Sequence, residues 1–253
     1  KELQFTVSHG GDVSTYFPLP RMLCHFHGVE ERFYLERTIS LPLDLTDHVK
    51  KYPERSQISS TGSMFDIDGQ LDEESWQVAP TIARLIPRQA DGYAPFDTEA
   101  WVTYDDSFLY VAVRCHEPVL RDILSEVTTR DGNVRNDDSI ELLLDINNDK
   151  KTFHHFAVNP GGVLYDARRD DPKWDSTAIL ASAKEEGAWT MEIAIPLKEI
   201  NANPAAQGVW GFQMVRNRPR FEEKKSYQWS PTFWYGNYMP RFFGILELRQ
   251  ANE

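Results

Sequence analysis

An antiparallel β-sandwich with few short helices is the fold class that this 253-residue sequence predicts. Three observations carry that prediction. Runs that alternate apolar and polar residues recur at short spacing from Met64 onward. Turn chemistry built on Gly, Pro, Asn and Asp separates them. Helix signals amount to one or two turns each, in "LDEESWQVAP" and "PLKEINA". Many short strands joined by turns bury one face each against a second sheet.

The elements follow in chain order. Residues 1–60 form an N-terminal segment of unassigned role. In "RFYLERTISLP", Tyr34, Glu36 and Thr38 share one face and Phe33, Leu35, Arg37 and Ile39 the other, so this segment could add strands to the sandwich. A polar stretch bounded by Pro42, Pro53 and Gly62 reads as a short helix or turn and then a linker, with the boundary near Ser60. The sandwich itself spans 61–253. In "FDIDGQLDEESW" the chain turns at Asp68-Gly69, Asp72 is placed to cap a short helix and Trp76 to plug the core. "TEAWVTYDDSFLYVAVRCHE" is a hairpin turning at Asp105-Asp106-Ser107. "DSIELLLDINND" puts Ile140, Leu142 and Leu144 on one face and Glu141 on the other. "TFHHFAVNPGGVLYDAR" is a second hairpin, turning at Asn159-Pro160-Gly161-Gly162. "AWTMEIAIPL" alternates strictly, which places Trp189 in the core. "VWGFQMVRNR", with Trp210, and "RFFGILELR" complete the set.

Composition narrows the function classes. Apolar residues at 41% and aromatics at 12% supply a sizeable core and argue against disorder. A net charge of −12 argues against nucleic acid as a partner, because phosphate binding needs a basic surface. No apolar run reaches the ~18 residues of a membrane span. The chain starts at Lys1 without a visible leader, as a mature or a trimmed form would. Two cysteines, Cys24 and Cys115, allow one disulfide, and Cys115 in a strand also reads as a buried free thiol.

Six blocks now stand in order: "IDGQLDEESWQVAP", "YDDSFLYVAVRCHEP", "DDSIELLLDINND", "FAVNPGG", "GAWTMEIAIPL" and "VWGFQMVRNR". Together they resemble the family 9 carbohydrate-binding module, one of a wider group of DOMON-like sandwiches, over about residues 64–249. The resemblance implies non-catalytic binding of an oligo- or polysaccharide. It also implies a bacterial protein that is secreted, periplasmic or on the cell surface, working with other modules of a glycan-degrading system.

The resemblance also points to a site. The best-known modules of this family clamp a terminal sugar between two tryptophans, one just before the Asp-Ser-x-Glu strand and one in the loop before the last strand. At the first place this sequence has Val134, Arg135 and Asn136, with no tryptophan. Arg135 could stack on a sugar or grip an acidic one, with Arg218 and Arg220 as further basic candidates. At the second place Trp234, Tyr235 and Tyr238 gather in a Pro/Gly-bearing loop, where no core periodicity explains them. Glu141 matches a family position that meets sugar hydroxyls; Asn159 matches a further family block and is a second hydrogen-bonding candidate, although it could simply serve its turn. An arginine that relatives carry near Asn159 is Ala157 here. Trp174, in a charged loop, is a further candidate contact.

Other chemistries are weaker. Asp145, Asn147 and Asp149 have the spacing of the first ligands in a calcium loop, which allows a structural calcium. Lys150 replaces the required glycine and Phe156 the bidentate glutamate, so a polar turn needing no ion is the competing reading. "CHFH" at Cys24–His27 offers too few ligands for a metal site, and His154 and His155 read as ordinary strand residues. A haem-binding domain could recruit Met214, Met239 or His154. The sequence contains no GxSxG, HExxH or phosphate-binding loop, so no enzyme is expected. The remaining alternative is a structural or protein-interaction sandwich without a sugar site.

Overall fold

The computed structural model describes residues 53–249, apart from 79, 88–92, 170, 172, 221–225 and 234–235. The readings made for residues 1–52, including the Cys24–His27 cluster, lie outside the described residues. Those described form two sheets. The larger takes strands β1 (Arg55–Ser59), β2 (Ile86–Pro87), β5 (Ser139–Asp145), β6 (His154–Val158), β7 (Leu164–Arg168), β10 (Val209–Asn217), β11 (Ser226–Gln228) and β12 (Gly244–Arg249). Its main order is β1-β12-β10-β5-β6-β7, with β11 continuing the β10 edge and joining β2. The smaller sheet takes β3 (Thr98–Tyr104), β4 (Phe108–His116), β8 (Ile179–Glu185) and β9 (Ala188–Pro196) in the order β3-β4-β9-β8. Pairing is antiparallel except for β1 on β12, which is parallel.

Strand alternation does what period two requires. Ile140, Leu142 and Leu144 of β5 and Trp210, Phe212 and Met214 of β10 face Val111, Val113, Trp189, Met191 and Ile193 of the small sheet in one buried core. Each such side chain contributes about 1.5–3 kcal/mol by leaving water. Cys115 is a free, fully buried thiol in that core. Met214 is packed there too, which uses it as a core side chain and not as a haem ligand.

Three expectations are corrected. Residues 55–59, read as linker, form β1 and extend the large sheet from within the segment assigned to residues 1–60. Asp72 caps nothing: the 3-10 turn Glu74–Trp76 has Glu73 before it and no side-chain cap. "PLKEINA" folds as turns and not as a helix. Trp76 is buried, but in a second core on the outer face of the small sheet, with Leu71, Trp101 and Tyr110.

That second core surrounds a buried carboxylate. Glu192 of β9 accepts the Trp76 indole N–H at 2.8 Å, the Gly69 amide at 2.8 Å and the Asp68 amide at 3.2 Å. Gly69 makes the approach possible. Its φ is +88°, and a Cβ there would lie 2.8 Å from the Ser182 carbonyl carbon. The acidic opening of the domain is therefore a clasp that ties the chain onto the small sheet.

Candidate functional site

The outer face of the large sheet carries the off-core residues of β5, β6, β7 and β10. Glu141 on β5 lies opposite Ala157 on β6, which lies opposite Tyr165 on β7. On its other side Glu141 pairs with Val215 of β10. The chain between β11 and β12 returns over this face. Its Phe243 and Tyr238 pack with Leu143, Phe153 and Val215 in a third apolar cluster.

Glu141 is the centre of the polar part of that face, although only 1% exposed. One carboxylate oxygen accepts the Tyr238 hydroxyl at 2.8 Å and meets His155 Nε2 at 2.7 Å. The other accepts the Asn217 amide at 2.8 Å. Burial pushes this carboxyl up, but the hydrogen bond and charge of His155, then Asn217 and Tyr238, outweigh it and hold the group below its usual value. The Tyr238 phenol is pushed up by burial and by Glu141.

Arg135 completes the group. It sits in a 3-10 turn, Val134–Asn136, just before β5, and Val134 beside it is fully buried and anchors the turn. The guanidinium lies 5.4 Å over the Tyr165 ring and 5.7 Å over the Tyr238 ring, and Nη1 donates to the Tyr238 hydroxyl at 2.9 Å. Burial works against its charge, but Tyr238 and Glu141 outweigh this and keep it firmly charged. Ala157 lies between Glu141 and Tyr165 in the strand register.

The structure brings together three of the residues singled out in the sequence, Arg135, Glu141 and Tyr238. It adds three that sequence reasoning missed: His155, Tyr165 and Asn217. All three are off-core by strand phase, which is the signal that could have found them. His155 is therefore more than an ordinary strand residue. Trp234 and Tyr235 lie outside the described residues.

The other candidates have different work. Asn159 is fully buried, and its amide is consumed locally. Oδ1 accepts the Gly161 and Val163 amides, while Nδ2 donates to the Val127 carbonyl and to Asp137. It holds its own turn and pins the segment before β5, so it turns no polar atom outward. Trp174 packs edge-on against Phe156 at 5.9 Å and against His154 at 4.9 Å, closing the rim of the main core. Arg218 is buried, not displayed. It donates to Glu117 at 2.7 and 3.1 Å and stacks 4.2 Å over Phe96. Arg220 lies 3.6 Å from Glu126 at the surface.

The calcium reading does not fit the donors present. The Asp145 carboxylate accepts the Asp149 and Lys150 amides at 3.0 and 2.9 Å. Asp149 accepts the Lys151 and Thr152 amides and the Thr152 hydroxyl. Asn147 Oδ1 accepts from Gln207, and the Lys150 ammonium contacts Asn148. These oxygens are spent on a turn that already contains a cation. A separate acidic group, Asp131, Asp166 and Asp175, shares Arg130, which lies 2.7 Å from Asp166, 3.8 Å from Asp131 and 4.0 Å from Asp175.

Comparison with known proteins agrees with this architecture. The family model described as "Carbohydrate family 9 binding domain-like" matches residues 67–250. A family 9 carbohydrate-binding module from Caldicellulosiruptor kristjanssonii, solved with cellotriose, superposes with a TM-score of 0.59 at 17% identity, covering 79% of this chain and 96% of that one. Its complex with glucose gives 0.56 at 16%, covering 79% and 98%. A putative carbohydrate-binding protein from Bacteroides uniformis ATCC 8492 gives 0.61 at 14%, covering 77% and 99%. At such identities the likeness to these structures establishes the fold. No curated protein sequence matches the chain.

Proposed function

The chain belongs to the carbohydrate family 9 binding domain-like family, and from that premise we propose that it is a non-catalytic carbohydrate-binding module. The observation that carries the proposal is the convergence of Arg135, Glu141, His155, Tyr165, Asn217 and Tyr238 on one sheet face. Sugar recognition needs aromatic faces for the C–H side of the ring and polar groups for its hydroxyls. Tyr165 and Tyr238 provide the first, with Trp234 and Tyr235 as proposed stacking residues from the same loop as Tyr238. Arg135 and Asn217 provide the second. Glu141, buried among them, orients Tyr238, His155 and Asn217. Affinity at so shallow a site is expected on the order of µM to mM.

The ligand class suits a bacterial protein working outside the cytoplasm, at the surface or in the periplasm, beside other modules that degrade glycans. Among the described residues no helix is long and apolar enough to cross a membrane.

The test is a glycan array on the full chain, repeated with Trp234→Ala and Tyr238→Ala. Binding that weakens at least tenfold in either variant supports the site. A folded protein that binds no glycan would instead indicate a sandwich serving protein interaction.

A further inference from the structure

The donors and acceptors on this sheet face are unequally available. Its carboxylate is buried and saturated, as described above. Arg135 is half-buried, and only Nη1 has a protein partner among the described residues, the Tyr238 hydroxyl. Nε and Nη2 have no hydrogen-bond partner among the described residues. The Tyr165 side chain, half-buried under the guanidinium, likewise has its hydroxyl without a hydrogen bond among the described residues. What the face offers a ligand is therefore dominated by N–H and O–H donors around the Arg135 charge, with the exposed Arg169 guanidinium 5.5 Å over the Phe153 ring of the same face.

Resting on the carbohydrate-binding reading, we propose that Arg135 selects acidic saccharides, with the carboxylate of a hexuronic acid residue held against its Nε and Nη2 edge.

The physical case has three parts. A guanidinium presents two parallel N–H groups that match a carboxylate bidentately, and such charge-assisted bonds are about twice as strong as neutral ones. Arg135 is also preorganised. Two tyrosine rings and the anchored turn at Val134 fix the plane of its fork, so little side-chain entropy remains to be lost on binding. A neutral sugar hydroxyl both donates and accepts, and would leave part of this donor array unmatched, whereas a carboxylate only accepts. The net charge of −12 does not veto an anionic ligand. Charges farther than about 8–10 Å are largely screened at physiological salt, while a contact with half-buried Arg135 is screened much less, though not fully.

The experiment is calorimetry on the full chain with digalacturonate, its methyl ester, cellobiose and galactose 6-sulfate, at low and high salt. The acid is expected to bind about tenfold or more tighter than its ester, the gain of one charge-assisted pair. Raising the salt should weaken the acid and leave the ester unchanged. Arg135→Gln should erase the preference, and Arg135→Lys, which keeps the charge but not the fork, should restore only part of it. Thermal melting of both variants establishes that they fold. Ester and acid bound equally well by the wild type would overturn the proposal, as would a preference that survives in Arg135→Gln. Preferential binding of the sulfate would overturn the carboxylate assignment. Cellobiose bound through Tyr238 with no acid preference would leave the carbohydrate reading standing and defeat this one. Failure of every saccharide would defeat both.

Discussion

Replacing Tyr238 with Phe removes one oxygen and keeps the ring that stacks on Phe153 at 6.5 Å and leans on His155 at 5.1 Å. Two hydrogen bonds go with that oxygen. The one into Glu141 is charge-assisted and reaches a carboxylate that water cannot, so its loss costs about 1.5–3 kcal/mol. Glu141 retains His155 and Asn217, which favours the lower end of that range. The bond from Arg135 is half exposed, and water replaces it at a cost of at most about 0.5 kcal/mol. The sum is about 2 kcal/mol, or a fall in Tm of about 4–8 °C for a domain of this size. The loss should depend on pH with a definite sign. Glu141 is held below its ordinary value of 4.5 in the folded protein, partly by Tyr238. Its contribution is fully present above pH 4.5 and disappears as pH falls through the folded pKa. Tyr238→Phe removes part of that contribution, so the variant should differ from wild type above about pH 5 and converge on it in acid. Urea denaturation of both proteins from pH 3 to 7 reads this directly. A difference below about 0.5 kcal/mol at pH 7, or one that stays constant into acid, would refute the assigned network.

Three further outcomes are expected. Glu117→Ala leaves Arg216 and Arg218 buried beside a missing partner, with Arg218 2.7 Å and Arg216 3.5 Å from the lost oxygen; urea unfolding should show a loss of about 3–5 kcal/mol, and a loss under 1 kcal/mol would mean that the pair is solvated. Asn159→Ala deletes four hydrogen bonds of a fully buried amide, which predicts about 3 kcal/mol and a ligand affinity lowered through the loosened segment that carries Arg135; unchanged melting would contradict its anchoring role. Burial, with the nearby Glu73, pushes Glu192 up to about 7 against its three N–H donors. The folded protein therefore keeps a proton that the unfolded chain releases near 4.5, so this group's contribution is greatest below about pH 4.5 and is lost as pH rises through about 7. Urea midpoints at pH 5 and 7.5 should show wild type losing stability relative to Glu192→Gln over that window, and parallel profiles would exclude the shift.

The parts of this molecule that could be read in advance are those decided within one strand. Alternation in "AWTMEIAIPL" places Trp189, Met191 and Ile193 in the core because burial of one face is a local property of period two. β8 escaped because "ILASAKE" is an edge strand with half-buried and exposed residues throughout, and its alternation has no strong apolar side to reveal it. β1 escaped because its pairing with β12 is parallel and joins residues nearly two hundred positions apart. Trp76 was legible as buried, but not as belonging to the second core, since that depends on which sheet face the clasp folds over.

The site divides along the same line. Glu141 was visible from its phase, and Tyr238 from its place among loop aromatics. His155, Asn217 and Tyr165 become partners only because β5 lies between β6 and β10, and the β5–β10 pairing is not between consecutive strands. A buried polar contact across such a pairing leaves no trace in local pattern. Arg216 is different. The core phase Trp210, Phe212, Met214 runs straight on to it, so a charge two residues later had to meet a buried counter-charge or solvent. Its guanidinium bonds the Asp97 and His116 carbonyls and the Thr98 hydroxyl of the opposite sheet's end, and Glu117 lies 3.5 Å away. Arg218 shares that counter-ion. The two arginines nearest the end of β10 therefore join the sheets, whereas Arg135, on the far side of the large sheet, presents its charge beside Tyr165 and Tyr238.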